Sequence, residues 1–144
     1  MTEEQQDREL VLFRAGDMLC GLDTLYVQEI DHNIAITPVH RAPDYVSGVI
    51  NLRGEIVTVI DLHQKFGLGP STITEDTQVV VVRYEDEYIA LLVDTIYDIV
   101  VAKHYDISPP PSNVDGVSGA FFDGVYRMAK ELVAVLDLDE LLKK

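Results

Sequence analysis

The sequence predicts a mainly β fold in which one small β-unit is built twice. Three observations carry that expectation. Short runs rich in Val, Ile, Thr and Tyr recur along the chain, and such residues fit a pleated, half-buried surface. Turn-forming pairs separate the runs at close spacing, which favours small β-barrels over a parallel sheet. Finally, three segments of the first half return in the same order in the second, at separations of roughly 70 residues, a pattern of internal duplication.

Taken in order, Met1 to Arg8 is polar and reads as a flexible tail. Glu9 to Phe13 and Met18 to Leu22 are strands joined at Gly16-Asp17. Asp23-Thr24 caps a short helix over Leu25 to Ile30, whose apolar positions Leu25, Tyr26 and Ile30 fit one helical side. Ile34 to Val39 is a strand interrupted near Pro38, and Pro43-Asp44-Tyr45 is a turn. Val46 to Leu62 then reads as two β-branched runs pinched at Arg53-Gly54, a β-hairpin whose Gly54 can take the positive φ that a tight connection needs. Arg53 is the one cation in this apolar run. Leu62 to Phe66 is a short helix stopped by Gly67, and 67–77 is a Gly-, Ser- and Thr-rich linker. Gln78 to Tyr84, Tyr88 to Val93, Ile96 to Ala102, Val117 to Phe122 and Leu132 to Leu136 are strands. Pro109-Pro110-Pro111 must be an extended loop, since proline brings no amide donor. A terminal helix follows Asp137.

Three matches define the repeat. Asp23-Thr24-Leu25-Tyr26 corresponds to Asp94-Thr95-Ile96-Tyr97, Val46-Ser47-Gly48-Val49 to Val114-Asp115-Gly116-Val117, and the run from Glu55 to Leu62 to that from Glu131 to Leu138. The second copy then carries Asp123 to Arg127 where the first has its compact Arg-Gly tip, so the halves are alike in scaffold and unlike at their tips. Asp61 and Asp137 recur as a pair. Each precedes a short helix with Gln64 or Glu140 three residues on, the spacing of a capping box.

Composition excludes several functions. The 144 residues suit one domain with an ordinary core. Asp plus Glu number 25 against 11 Lys plus Arg, a formal net charge of −14, which argues against nucleic acid and anionic membrane as partners and favours partners with basic patches. No apolar run approaches the roughly 20 residues that span a bilayer, and the polar N-terminus lacks the form of a signal peptide, so a soluble cytoplasmic protein is expected. The single cysteine, Cys20, sits among apolar residues and reads as a buried thiol. His32, His40, His63 and His104 do not pair at metal-site spacing, no glycine-rich phosphate loop or Gly-x-Ser-x-Gly motif occurs, and no cofactor is expected. Nothing here generates a nucleophile. A hairpin tip that carries one arginine is built to display a contact.

Val27-Gln28-Glu29-Ile30, the stretch Pro43-x-Tyr45-Val46-x-Gly48-Val49-Ile50-Asn51-Leu52-Arg53-Gly54, the run Val59-Ile60-Asp61-Leu62, Leu92-Val93-Asp94 and Leu136 to Leu142 together resemble the CheW-type coupling proteins of bacterial chemotaxis. The resemblance covers essentially residues 9–142. It implies two pseudo-repeated five-stranded SH3-like β-barrel subdomains, a first at about 9–69 and a second at about 78–136, with room for the barrels to interleave, a linker over 70–77 and a C-terminal helix over 137–144. It implies no catalysis. Such proteins link transmembrane chemoreceptors to the chemotaxis histidine kinase, so the implied partners are the kinase regulatory domain, met at the barrel ends, and the receptor's cytoplasmic helical hairpin, met in a groove between the barrels. The implied contact residues are Val27, Glu29 and Arg53, with Asn51 and Gly54 shaping the turn. The chain departs from the common pattern at Thr58, where proline is usual, and at His63, where arginine is usual. Two other readings stand beside this one: an adaptor of the same family in a pilus or developmental pathway, and a small ligand-binding barrel or enzyme, which would need a polar pocket with convergent titratable groups.

Overall fold

The computed structural model describes residues 6–32 and 35–143. Thirteen strands and two short helices follow one another there. Arg8–Ala15 (β1) and Met18–Asp23 (β2) form a hairpin, and a 3-10 turn at Thr24–Tyr26 leads to Val27–Asp31 (β3). Val46–Leu52 (β4) and Glu55–Asp61 (β5) form the second hairpin, followed by Leu62–Lys65 (α1). Gln78–Tyr84 (β6) and Glu87–Val93 (β7) form the third, followed by Thr95–Ala102 (β8). The remainder is Ile107–Ser108 (β9), Asn113–Val114 (β10), Val117–Ser118 (β11), Phe122–Arg127 (β12), Leu132–Leu136 (β13) and Leu138–Leu142 (α2).

The strands make a five-stranded sheet, β3-β6-β7-β5-β4, a six-stranded sheet, β8-β1-β2-β13-β12-β9, and a separate β10-β11 ribbon. Mainly β structure with two strand sets is thus what the sequence predicts, with one set a strand larger than expected. Two compact units result: Tyr26–Thr95, and Met1–Leu25 together with Ile96–Lys144. Their limits differ from the expected 9–69 and 78–136. The physical cause is an exchange of third strands. β3 pairs antiparallel with β6 (Val27 opposite Val82), while β8 lies against β1. A sequence repeat fixes the order of the strands in each copy, whereas the hydrogen-bonding partner of a strand can come from the other copy.

Each unit has its own apolar core. In the 26–95 unit, Ile50, Val57, Val59, Val79, Val81, Ala90 and Leu92 pack together, flanked by Ile36, Leu52 and Tyr88. In the other, Leu10, Leu12, Leu19, Ala102, Val133 and Val135 do so, flanked by Val100, Ile107, Tyr126 and Met128. Alternate residues of β5 and β13 supply both sets, as the two-residue period of a strand requires.

Register shows where the repeat lies. β4 shifts register between Val46 and Gly48 against β5, and β12 shifts between Phe122 and Gly124 against β13. The Asp61 amide donates to the Tyr45 carbonyl and the Asp137 amide to the Phe121 carbonyl, both at 2.8 Å. The counterpart of Val46-Ser47-Gly48-Val49 is therefore Phe122-Asp123-Gly124-Val125, and the expected match at Val114-Asp115-Gly116-Val117 is a different hairpin. Asp123 to Arg127, expected as a divergent tip, is strand β12, and the true second tip is Ala129-Lys130, closed by the Met128 amide on the Glu131 carbonyl at 2.9 Å. Asp123-Gly124 imitates turn chemistry in the sequence. Gly124 is instead required for close packing, since a Cβ there would stand 2.8 Å from the Ile107 Cγ2.

Other expectations need correction. Leu25 to Ile30 is not a helix. Leu25 and Tyr26 end the 3-10 turn and are exposed rather than core, and the chain then enters β3, where Val27, Glu29 and Asp31 alternate with the exposed Gln28 and Ile30 and so fit the sheet edge. Ile34 lies outside the described residues, as do Met1 to Gln5 of the expected tail and Lys144 of the expected terminal helix. The rest of the expected 34–39 strand makes a single bridge, Thr37 to Val49. Val117 to Phe122 breaks after Ser118 into a 3-10 turn, Gly119–Phe121, whose Ala120 amide donates to the Ser118 hydroxyl oxygen at 3.3 Å. Asp61 and Asp137 do cap α1 and α2, accepting from the amides of His63 (3.0 Å) and Glu140 (3.2 Å). The reciprocal half of the capping box is absent, because the Asp61 and Asp137 amides are already bonded to Tyr45 and Phe121.

Candidate functional site

The β4–β5 hairpin turns in two residues, with Leu52 opposite Glu55. Arg53 at φ 53° and Gly54 at φ 88° form the φ pair of a type I′ turn, the form whose twist matches two right-twisted strands. The Asn51 side-chain oxygen accepts the Gly54 amide at 2.9 Å and so locks the turn from within. Glycine serves here for its φ, since a Cβ on Gly54 would meet nothing within 4 Å. Arg53 adopts the left-handed region despite its Cβ, at about 1–2 kcal/mol. Its side chain projects outward and is 80% exposed.

The guanidinium reaches across to Glu29, Nη2 donating to Oε2 at 3.2 Å. Glu29 belongs to β3, at one edge of the five-stranded sheet, and Arg53 to the end of β4, at the other. The ion pair therefore clasps the two edges together at one end of the unit. Beneath it lies a cavity of about 180 Å³ lined by Gln28, Glu29, Leu52, Arg53, Glu55, Val81 and Tyr88. The structure thus brings Glu29 and Arg53 together, with Asn51 and Gly54 holding the turn. Val27 stands apart from the cavity. A register shift between Val27 and Glu29 leaves Gln28 with no opposite residue on β6, as a bulge does.

The other unit builds a comparable mouth that the sequence reading missed. A cavity of about 230 Å³ is lined by Leu12, Arg14, Leu19, Tyr97, Asp98, Val100, Met128 and Glu131. Met128 and Glu131 flank the Ala129-Lys130 tip as Leu52 and Glu55 flank Arg53-Gly54. Here the arginine lies on β1, bonded to Glu131 at 2.7 Å, with its guanidinium 5.3 Å from the Tyr97 ring centroid. The only sequence signal for it was the repeat, which lacked the correct register.

Other polar groups serve the scaffold. Asp61 is buried and also accepts the Ser71 amide at 2.9 Å and its hydroxyl, which ties the 67–77 loop to β5. His63 Nε2 lies 3.0 Å from Asp94 Oδ2, so the position that departs from the common arginine keeps an acidic neighbour. Arg8 binds Asp23 at 3.1 Å and Asp123 at 2.9 Å. Asp7 accepts the His104 amide (3.0 Å), His104 Nδ1 (3.1 Å) and Lys103 Nζ (3.3 Å), which pulls its carboxyl down to about 2, the His104 backbone bond first among the causes. Cys20 is fully buried, and burial pushes its thiol far up, away from the reactive thiolate. Among the described residues no group of three or more His, Cys, Asp or Glu could hold a metal ion, and no helix is long and apolar enough to cross a membrane.

The CheW-like domain family matches residues 9–144. The chain is 34% identical over 145 residues to the chemotaxis protein CheW of Helicobacter pylori, covering 98% of this chain and 87% of that one. It is 30% identical over 145 residues to the chemotaxis protein CheW of Treponema pallidum, covering 98% and 85%. The protein FrzA of Myxococcus xanthus is 27% identical over 143 residues, covering 98% and 89%. Among solved structures, the scaffolding protein TtCheW of Thermoanaerobacter tengcongensis superposes with a TM-score of 0.88 at 28% identity, covering 96% of this chain and 94% of that one.

Proposed function

This chain belongs to the CheW-like domain family, and we propose that it is a non-enzymatic adaptor coupling transmembrane chemoreceptors to a chemotaxis histidine kinase. It works in the cytoplasm, recruited to receptor arrays at the inner membrane. Its partners are the kinase regulatory domain and the receptor's cytoplasmic helical hairpin. The contact surface centres on Arg53, with Glu29 and Val27 beside it and Asn51 and Gly54 fixing the turn.

One observation carries the site: a nearly fully exposed arginine held on a rigid two-residue turn, at the motif position Asn51-Leu52-Arg53-Gly54. A charged side chain displayed from a stiff support loses little freedom on binding and selects partner and register through charge. In this reading signal passes as a bias in how the kinase is held.

Arg53→Ala leaves the fold intact and weakens binding to the kinase regulatory domain, the receptor hairpin or both. Calorimetric titration against each purified partner checks this, and unchanged affinity for both removes Arg53 from the site. The likeness to FrzA favours a second pathway assignment, an adaptor serving a non-flagellar kinase. Co-purification with endogenous kinases and receptors separates the two.

A further inference from the structure

We propose that the unit containing the N-terminal strand binds a free α-amino acid with an apolar side chain, in a cavity beside the β10–β11 ribbon. Arg127 takes the carboxylate and Asp115 the ammonium group. None of the residues involved belongs to the Arg53 contact surface, so the site adds a small-molecule ligand to the adaptor reading.

The cavity measures about 370 Å³, within the range of roughly 300–1,000 Å³ usual for small-molecule pockets. Its walls include Met18, Pro109, Pro111, Val125, Leu132 and Ala134. Leu132 and Ala134 alternate along β13 with the core residues Val133 and Val135, so the cavity lies on the sheet face turned away from that core. Pro109 and Pro111 bring no amide donors to the wall. Leu132 is 60% exposed, so much of the apolar wall remains open to water.

Two charged side chains line the same cavity: Arg127 at the end of β12 and Asp115 at the turn of the β10–β11 ribbon. Among the described residues neither forms an ion pair, with the other or with any third group. By contrast, Arg8, Arg14, Arg53 and Arg83 are each bound to a carboxylate. The ribbon that carries Asp115 is held in place. Asn113 accepts the Gly116 amide at 2.9 Å, and the Gly119 amide donates to the Ser112 carbonyl at 2.8 Å.

This pair of charges selects the ligand. A simple organic anion would meet Arg127 but be opposed by Asp115, and a simple cation would meet the reverse. A zwitterion satisfies both, across the gap that keeps the two side chains from pairing. A free α-amino acid carries its two charges on either side of one carbon atom, with the side chain as a third arm. The planar fork of Arg127 matches the carboxylate, and the Asp115 carboxylate accepts from the ammonium group. An apolar side chain then covers Val125 and Leu132, and its removal from water favours binding.

Titration of the full chain with L-leucine, followed by amide chemical shifts, tests the site. Saturable binding with a Kd in or below the millimolar range is expected, with shifts at Asp115, Gly116, Arg127 and Leu132. Two analogues each lack one charge: 4-methylpentanoate has no ammonium group and 3-methylbutylamine no carboxylate. Both are expected to bind about three- to tenfold more weakly, between the worth of an exposed ion pair and that of a charged hydrogen bond. Glycine, without the third arm, is expected to bind more weakly than L-leucine. Arg127→Gln and Asp115→Gly should each weaken L-leucine by a similar factor. Both side chains are exposed, and glycine suits the φ of 48° at position 115. Asp115→Gly should also remove the advantage of L-leucine over 4-methylpentanoate, since the opposing carboxylate is gone. The proposal is overturned if neither L-leucine nor L-phenylalanine saturates, or if the shifts fall only on other residues. It is equally overturned if either analogue binds as well as L-leucine, or if both variants bind L-leucine unchanged.

Discussion

The two mouths are built alike, but their ion pairs run in opposite senses. In the 26–95 unit the arginine sits on the hairpin tip and the carboxylate on the edge strand β3. In the other unit the carboxylate, Glu131, sits beside the tip and the arginine, Arg14, on β1. The consequence is exposure. Arg14 is 24% exposed, bonded at 2.7 Å and stacked against Tyr97, whereas Arg53 is 80% exposed and bonded at 3.2 Å. A closed ion pair over an aromatic ring holds structure. An open one on a turn displays a charge. Duplication of a scaffold thus leaves each copy's use to the few residues at its tip.

The β10–β11 hairpin makes the same point. Asn113 accepts the Gly116 amide at 2.9 Å just as Asn51 accepts that of Gly54, and Asp115 takes the place of Arg53 at φ 48°. The backbone is shared and the displayed charge is reversed.

The glycines at the matched register shifts offer the severest test of the pairing of the two halves. Gly48 has φ 150°, and a Cβ there would stand 2.2 Å from the Thr37 carbonyl oxygen, a backbone atom with no room to move. Gly124 meets first a methyl group, the Ile107 Cγ2, at 2.8 Å. Gly48→Ala is expected to destabilise by about 3 kcal/mol or more and Gly124→Ala by about 1–2, the range of overpacking. Urea unfolding of the two variants measures the gap, and equal losses would break the correspondence in strain.

A smaller contrast is expected at the paired caps. Asp61 accepts three hydrogen bonds and is buried, while Asp137 caps α2 through the Glu140 amide. Asp137→Ala is expected to lose about 0.5–2 kcal/mol, as loss of a cap does. Asp61→Ala should lose about 1 kcal/mol more, because the Ser71 groups are left without their acceptor. Thermal unfolding of both variants sharpens or removes the distinction, and identical midpoints would mean that Ser71 contributes nothing.

The smallest effect concerns pH and belongs only to the unit that contains the N-terminal strand. The Asp7 carboxyl is held down to about 2, below its unfolded value of about 3.9. Its bonds to His104 and Lys103 are therefore fully present above about pH 4 and are lost as pH falls through about 2. Amide resonances of Asp7 and His104 should shift together over that window. A midpoint near 4 would show that the carboxyl is not held by those partners.

Much of this was legible in the chain. The hairpins, the caps and the Arg-Gly tip follow from local chemistry: β-branched runs, turn residues and an aspartate before a short helix. What escaped was set by distant partners. The exchange of β3 and β8 depends on which edge each strand finds. The strand at Phe122–Arg127 hides behind Asp123-Gly124, whose glycine answers to Ile107 across the sheet and not to a turn. Glu29 stood out only through a resemblance, because nothing local shows that it reaches a residue 24 positions away.

The strand exchange also bears on synthesis. Residues 26–95 contain every strand of the five-stranded sheet, so that unit can close as soon as β7 has left the ribosome. The β1–β2 hairpin is made earlier but must wait for β8, β12 and β13 before its own sheet is complete. The part of the protein translated first is thus the part that finishes folding last, and during the interval its apolar β1 and β2 edges are the surface most in need of a chaperone.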